Sequence, residues 1–202
     1  MNAVLPTRIR PSSGGYFTVR SIPWYLHNGL LYLVRFTFLP FVTMTPIGTL
    51  FLRAMGMRMG RRPRITTENL SDVRLITLGD DVVIGGSANI FCHYGGAGRL
   101  VIAPVVIGNR ATIGEKATVM GDVVIGEGAT ILAHAVLLPG TRVGAAERWG
   151  GAPARRIGHD EWERMKAART GAADPPRSVP EGVRGEPSAE GVGREPRAEK
   201  RG

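Results

Sequence analysis

The amino-acid sequence predicts a mainly β fold, a parallel solenoid of triangular cross-section, with an apolar helical segment before it and a polar tail after it. Three observations carry that reading. An aliphatic residue returns every six positions from 78 to 90 and again from 107 to 143, a small residue stands four positions after it from 107 to 131, and 28 glycines accompany only 6% aromatics. A glycine-rich, aromatic-poor chain reads as repetitive backbone with many turns and not as an aromatic-filled core. The 202 residues have room for one such domain with its appendages.

The N-terminal segment, residues 1–58, comes first. Residues 1–64 carry nine arginines and no Asp or Glu, residues 65–160 carry eight basic and nine acidic groups, and residues 161–202 carry nine and eight. The net charge of +9 therefore belongs to the first third of the chain. That distribution excludes a uniformly basic nucleic-acid binder, and no nucleic-acid partner is expected. The stretch "GLLYLVRFTFLPFVTMTPIGTLFLRAMG" (29–56) has a longest uncharged run of 17 residues, 36–52, broken by Pro40 and Pro46. A membrane span needs about 20 apolar residues and prolines kink a helix, so one or two short kinked helices are expected. The run begins too late for a cleavable signal peptide. Two placements stay open: helices lying on an anionic membrane with arginines reaching outward, or helices covering the core or packing between subunits.

The repeat occupies residues 59–158. Leu78, Ile84, Ile90, Ile107, Ile113, Val119, Ile125, Ile131, Leu137 and Val143 form the aliphatic series, and Ala111, Ala117, Val123, Ala129 and Ala135 the small one. Two inward residues and a corner in each six make a short strand plus a turn, and three units close a coil of 18 residues. An α-helix cannot hold this series on one face, because six residues turn 600°, which falls 120° short of two full turns. Glycines at 79, 85, 108, 114, 126 and 144 are expected to ease the chain around the corners. Met59 and Ile65 suggest an earlier, irregular coil. The frame fails between Ile90 and Ile107, which are 17 residues apart, one short of three units. Residues 159–170 read as a short closing helix, and 171–202, rich in Pro, Gly, Ala and mixed charge, as a disordered tail. Cys92, the single cysteine, can form no internal disulfide, which suggests a reducing, cytoplasmic location, with the inner face of the membrane as its edge.

The ladder, the phrase "PVVIGNRATIG" (104–114) and the closing "WGGAPARRIG" (149–158) together resemble the hexapeptide-repeat acyltransferases. The resemblance implies a left-handed parallel β-helix, a homotrimer, and acyl transfer from acetyl-CoA or another acyl-CoA, with no metal, to a hydroxyl or amine of a small molecule or glycan precursor. More loosely, the N-terminal piece with "DVRLITLGDDVVIG" resembles the terminal region of poly-lysine-synthetase-type peptide synthetases. An acyl thioester needs a groove, a base for the attacking group and donors for the oxyanion. Histidine suits the base, since its ordinary pKa lies near neutrality. The family's catalytic histidine, just before the "PVVIG" coil, carries over onto His93, in the loop where the period fails. His134 is the rival, standing in "LAHAVLLP" (132–139) where relatives have a G-A-G-S-x-V-T-K stretch that helps hold coenzyme A. His27 and His159 read as bystanders. For coenzyme A the resemblance implies Arg155 at the basic position of the closing phrase with Arg156 beside it, and the backbone of Glu115 and Ala133 along the groove. The family's tryptophan before Ile-Gly is Thr112 here. A zinc enzyme on the same fold needs three converging histidines, and residues 65–158 hold only His93 and His134. The alternative function is non-catalytic: a trimeric β-helix scaffold docking to a membrane or to a biosynthetic synthetase.

Overall fold

A computed structural model describes residues 9–171. Arg8 and the tail from residue 172 onward, including the stretch expected to be disordered, lie outside the described residues. The described residues divide into two compact units, parted after residue 159.

The first unit is a parallel β-solenoid with three faces. One face stacks Arg58–Met59, Ile76–Leu78, Val105–Ile107, Val123–Ile125 and Arg142–Val143. A second stacks Arg64–Ile65, Val83–Ile84, Thr112–Ile113, Thr130–Ile131 and Arg148–Gly150, and Arg155–Arg156 adds to it antiparallel. The third stacks Asn89–Ile90, Thr118–Val119 and Val136–Leu137, with Leu70 bridged to Ile90. The register is the six-residue ladder itself: Leu78, Ile107, Ile125 and Val143 pair in one column, Ile84, Ile113 and Ile131 in the next, and Ile90, Val119 and Leu137 in the third. All ten aliphatics and all five small residues are buried in one core. Each fully buried isoleucine contributes on the order of 1.5–3 kcal/mol. The irregular first coil is present too, since Met59 pairs with Leu78 and Ile65 with Ile84.

Two details correct the sequence reading. The glycines after the aliphatics do not supply left-handed backbone. That conformation falls three positions after nine of the ten aliphatics and after Met59, at Arg62, Asp81, Ser87, Arg110, Lys116, Asp122, Gly128, His134, Gly140 and Ala146. The glycines are needed for close approach instead: a Cβ on Gly114 would lie 2.4 Å from the Ala133 nitrogen of the next coil. Second, the break is not one residue short of three units. From Ile90 to Ile107 the chain spends one six-residue unit plus eleven extra residues. Those eleven leave the coil as a β-hairpin, His93–Gly96 against Arg99–Ile102, to which Ser12–Gly15 adds a third antiparallel strand. The arm closes at its base through Ala103 N donating to Cys92 O at 2.8 Å.

Three helices, α1 (Ile22–Thr37), α2 (Leu39–Val42) and α3 (Pro46–Ala54), precede the first coil. Pro40 and Pro46 start helices and do not kink them, because a proline in the first turn loses no intrahelical hydrogen bond. Leu31 and Leu52 join the solenoid core, so one side of this segment covers it. The nine arginines of residues 1–64 are also less unopposed than their sequence suggests: Arg61 pairs with Asp80 at 3.2 Å and Arg62 with Asp81 at 2.8 Å, carboxylates of the following coil. In the second unit, α4 (His159–Gly171) carries a Lys166–Glu163 pair at 2.9 Å.

Candidate active site

Each coil has three corners, and corners stack on one another as the faces do. The corner after Leu70 holds Asp72, the corner after Ile90 opens into the arm, and the corner after Val119 holds Asp122. Asp72 and His93 therefore lie on the same edge, one coil apart. His93 Nδ1 and Asp72 Oδ2 are 2.6 Å apart. Asp72 is fully buried, while the His93 side chain keeps 27% exposure.

A buried carboxylate needs donors, and α1 supplies them. Trp24 Nε1 donates to Asp72 Oδ1 at 2.9 Å and Asn28 Nδ2 to the same oxygen at 3.0 Å. Trp24 and Asn28 are four residues apart and so share a helix face, and Asn28 Nδ2 also donates to the Trp24 carbonyl at 3.0 Å. With Oδ1 so engaged, the carboxylate accepts from His93 Nδ1 on Oδ2, which leaves the lone pair on Nε2. Ring contacts fix the imidazole further: Trp24 meets it edge-on at 5.0 Å and Phe91 lies 6.0 Å away. A cleft of about 220 Å³, lined in part by Ile9, Arg10, Pro23, Trp24 and Ile102, opens beside this group, Ile102 being the residue paired with His93 across the arm. The arrangement has the elements of an oriented general base.

The other sequence candidates stand elsewhere. His134 is exposed on the corner between the second and third faces, at φ 60°, the left-handed place that Ser87 and Lys116 fill in the two preceding coils. Its backbone nitrogen donates to Glu115 O at 2.9 Å, so Glu115, Ala133 and His134 occupy one edge. The closing phrase reaches that same edge, Val136 N donating to Gly151 O at 2.9 Å. Arg155 and Arg156 are exposed on the second face, paired with Gly150 and Trp149, and Arg156 Nε lies 3.3 Å from Glu147 Oε1 at that face's other corner. Within one chain, then, the structure places His93 on one edge, His134, Glu115 and Ala133 on another, and Arg155 and Arg156 along the second face. Sequence reasoning missed Asp72, Trp24 and Asn28. Folding the sequence into stacked coils would have placed Asp72 beneath the break. Nothing in the sequence pointed to the two helix residues, which are 48 and 44 positions from Asp72.

Residues 101–145 match the family model described as bacterial transferase hexapeptide (six repeats). The chain carries the hexapeptide repeat. Solved structures similar to this hexapeptide-repeat chain include a galactoside acetyltransferase in complex with coenzyme A, 16% identical, covering 77% of this chain and 89% of that one, at a TM-score of 0.54. A hexapeptide-repeat-containing acetyltransferase from Vibrio cholerae O1 biovar eltor, complexed with acetyl coenzyme A, is 18% identical over 71% of this chain and 91% of that one, at 0.53. A maltose O-acetyltransferase from Clostridium difficile 630 is 17% identical over 73% and 91%, at 0.51. These are likenesses of fold, and they imply the left-handed β-helix. Among curated proteins, the Delta-poly-L-ornithine synthetase of Acinetobacter baumannii (strain AB307-0294) is 28% identical over 110 residues, 54% of this chain. The chain spans 8% of the length of that relative. The looser resemblance to poly-lysine-type synthetases thus meets a synthetase of another basic amino-acid polymer.

Proposed function

We propose that this chain is an acyltransferase that moves an acyl group, acetyl in the first instance, from coenzyme A to a hydroxyl or amino group of a small molecule or glycan precursor. The observation that carries the reading is the His93–Asp72 pair at 2.6 Å, its carboxylate buried and its imidazole reachable. The fold shared with acetyltransferases supports it. His93 Nε2 takes the proton of the attacking hydroxyl or amine as that atom bonds to the thioester carbonyl carbon. On collapse the C–S bond breaks, and the coenzyme A sulfur leaves with the proton returned from Nε2. Asp72 is the positioning residue, holding Nδ1–H throughout.

Coenzyme A is assigned, by resemblance, to Glu115, Ala133, Arg155 and Arg156, the first two on the His134 edge and the arginines on the face that adjoins it. That edge and the His93 edge are different corners of one prism, and a homotrimer would bring one copy's His93 edge against a neighbour's coenzyme A edge. Arginine geometry suits phosphates there. Cys92 is buried, which pushes its thiol pKa up and keeps it protonated. The expected membrane contact of residues 1–58 belongs to a different surface, the outer side of the N-terminal helices.

The test is a thiol-release assay on the full chain with acetyl-CoA and longer acyl-CoAs against panels of hydroxyl and amine acceptors. His93→Ala is expected to abolish turnover while leaving coenzyme A binding intact, and His134→Ala to keep turnover within a few-fold. Inactivity with every donor, together with no measurable coenzyme A binding, would favour the scaffold reading. Full activity of His93→Ala would move the base elsewhere.

A further inference from the structure

The N-terminal helices have two sides, and the inner one is accounted for: Leu31 and Leu52 enter the core, and Trp24 and Asn28 hold Asp72. The outer one is not. Ile22, Leu26, Leu33 and Phe36 of α1, Phe41 of α2 and Leu50 of α3 are all exposed, Phe41 by 81% and Phe36 by 72%. The α1 members stand at spacings of four, seven and three, one stripe of the helix. On a helix that faces water this stripe carries charge. Here Arg35 is the sole Asp, Glu, Lys or Arg in residues 22–52, and its guanidinium is turned inward, onto Leu70 O at 3.2 Å and Ser71 Oγ at 3.3 Å. An exposed apolar area spread over three helices marks an interaction surface.

We propose that the outer side of α1, α2 and α3 docks into the interfacial layer of an anionic membrane. Charge selects this occupant. Residues 9–64 contain no acidic group, and Arg10, Arg53, Arg58 and Arg64 remain exposed on the same segment after Arg61 and Arg62 have found their aspartates. Anionic headgroups complement such a segment, and each nearby arginine strengthens the attraction. A second copy of the chain would bring the same arginines and no carboxylate from this region, a repulsive match. Length selects the mode. The 16 residues of α1 rise about 24 Å, short of a hydrocarbon core of about 30 Å, and no helix among the described residues is long and apolar enough to cross a membrane. The helices would lie in the surface plane. Tyr25 and Tyr32, exposed on α1, have the amphipathic rings that settle at headgroup level. None of this depends on the acyl-transfer reading, and each can fail without the other.

The test is co-sedimentation of the full chain with phosphatidylcholine vesicles, with and without phosphatidylglycerol. Binding is expected to the anionic vesicles and to weaken as salt rises. The double variant Leu26→Asp, Leu33→Asp should partition roughly a hundredfold less, about tenfold for each leucine withdrawn from the apolar layer, with melting temperature and oligomeric state unchanged because both positions face outward. Phe41→Ser, on a separate helix, gives a second reading should the aspartates disturb folding, and it too should weaken binding several-fold. Absence of wild-type binding to anionic vesicles, or binding unchanged in variants that fold, overturns the proposal. So does loss of self-association in those variants without any vesicle binding, which would assign the face to a second copy.

Discussion

Replacing Asp72 by asparagine keeps the shape of the buried group and changes which atoms it can offer. The carboxylate receives Trp24 Nε1 and Asn28 Nδ2 on Oδ1, and His93 Nδ1 faces Oδ2. An asparagine placed to keep the first two contacts leaves its oxygen toward α1 and turns its NH₂ toward His93. That NH₂ can only donate, so Nδ1 must become the acceptor and the ring proton moves to Nε2. The atom that should take a proton then already carries one. A positioned general base accounts for about 10²–10⁴ in rate, and a loss of that size, about 3–5 kcal/mol of barrier, is the expected fall in kcat. The KM for the acyl donor should stay put, since neither Asp72 nor His93 is among the groups proposed to hold coenzyme A. Loss of the charge should also cost about 1.5–3 kcal/mol of stability, read by urea denaturation. The assay is thiol release over a range of acceptor concentrations, with ¹⁵N NMR of the histidines reporting the tautomer. A variant that shows the shifted tautomer yet turns over at the wild-type rate would refute the reasoning.

Three further outcomes follow from the solenoid. Ile113→Ala removes a fully buried side chain stacked between Ile84 and Ile131 and should cost about 2–5 kcal/mol in denaturant unfolding. Gly114→Ala should be worse than Gly128→Ala: the added Cβ at 114 meets three backbone atoms of the next coil, at 2.4, 2.6 and 2.8 Å, whereas at 128 it meets nothing within 4 Å and bears only the strain of φ +66°, about 1–2 kcal/mol; parallel thermal melts compare them. Stability should fall as pH drops below 6.5, because burial lowers the His27 pKa, with Asp72 opposing in part. Below that pH the unfolded chain takes up a proton the native chain resists, while above it the contribution is complete. Melting temperatures across this range check the slope, which His27→Gln should flatten.

The core was legible because it is written along one dimension. A residue that recurs at six in a solenoid stacks on its own kind, so Ile84, Ile113 and Ile131 could be assigned to one column without knowing any distance between them. The start of the break was equally legible at His93. What the sequence concealed was the contribution of separate elements to one point. Asp72 reaches His93 because an edge brings successive coils together across 21 residues, and its other partners come from a helix that obeys a different period. His134 drew attention as an unusual residue at a corner, yet each corner admits one residue at positive φ and its identity is loosely restrained. The arginines looked unopposed because Asp80 and Asp81 follow 19 positions later, one coil on.

The eleven-residue arm shows where this architecture tolerates change in chain length. Across it, Ile84 still pairs with Ile113 and Ile90 with Val119, 29 positions apart, while the next coils pair at 18. The stack does not register how many residues left at that corner, because the contact between Cys92 and Ala103 and the pairing of His93 with Ile102 pin the exit to the return. Lengthening such a loop twofold costs only about 0.6 kcal/mol of closure entropy. One residue added within a face would instead turn every following side chain inside out. The coils therefore tolerate a change of chain length at this corner and not along the faces, and a graft of foreign arms between His93 and Ile102 would exchange the surroundings of His93 while the coils beneath go on counting sixes.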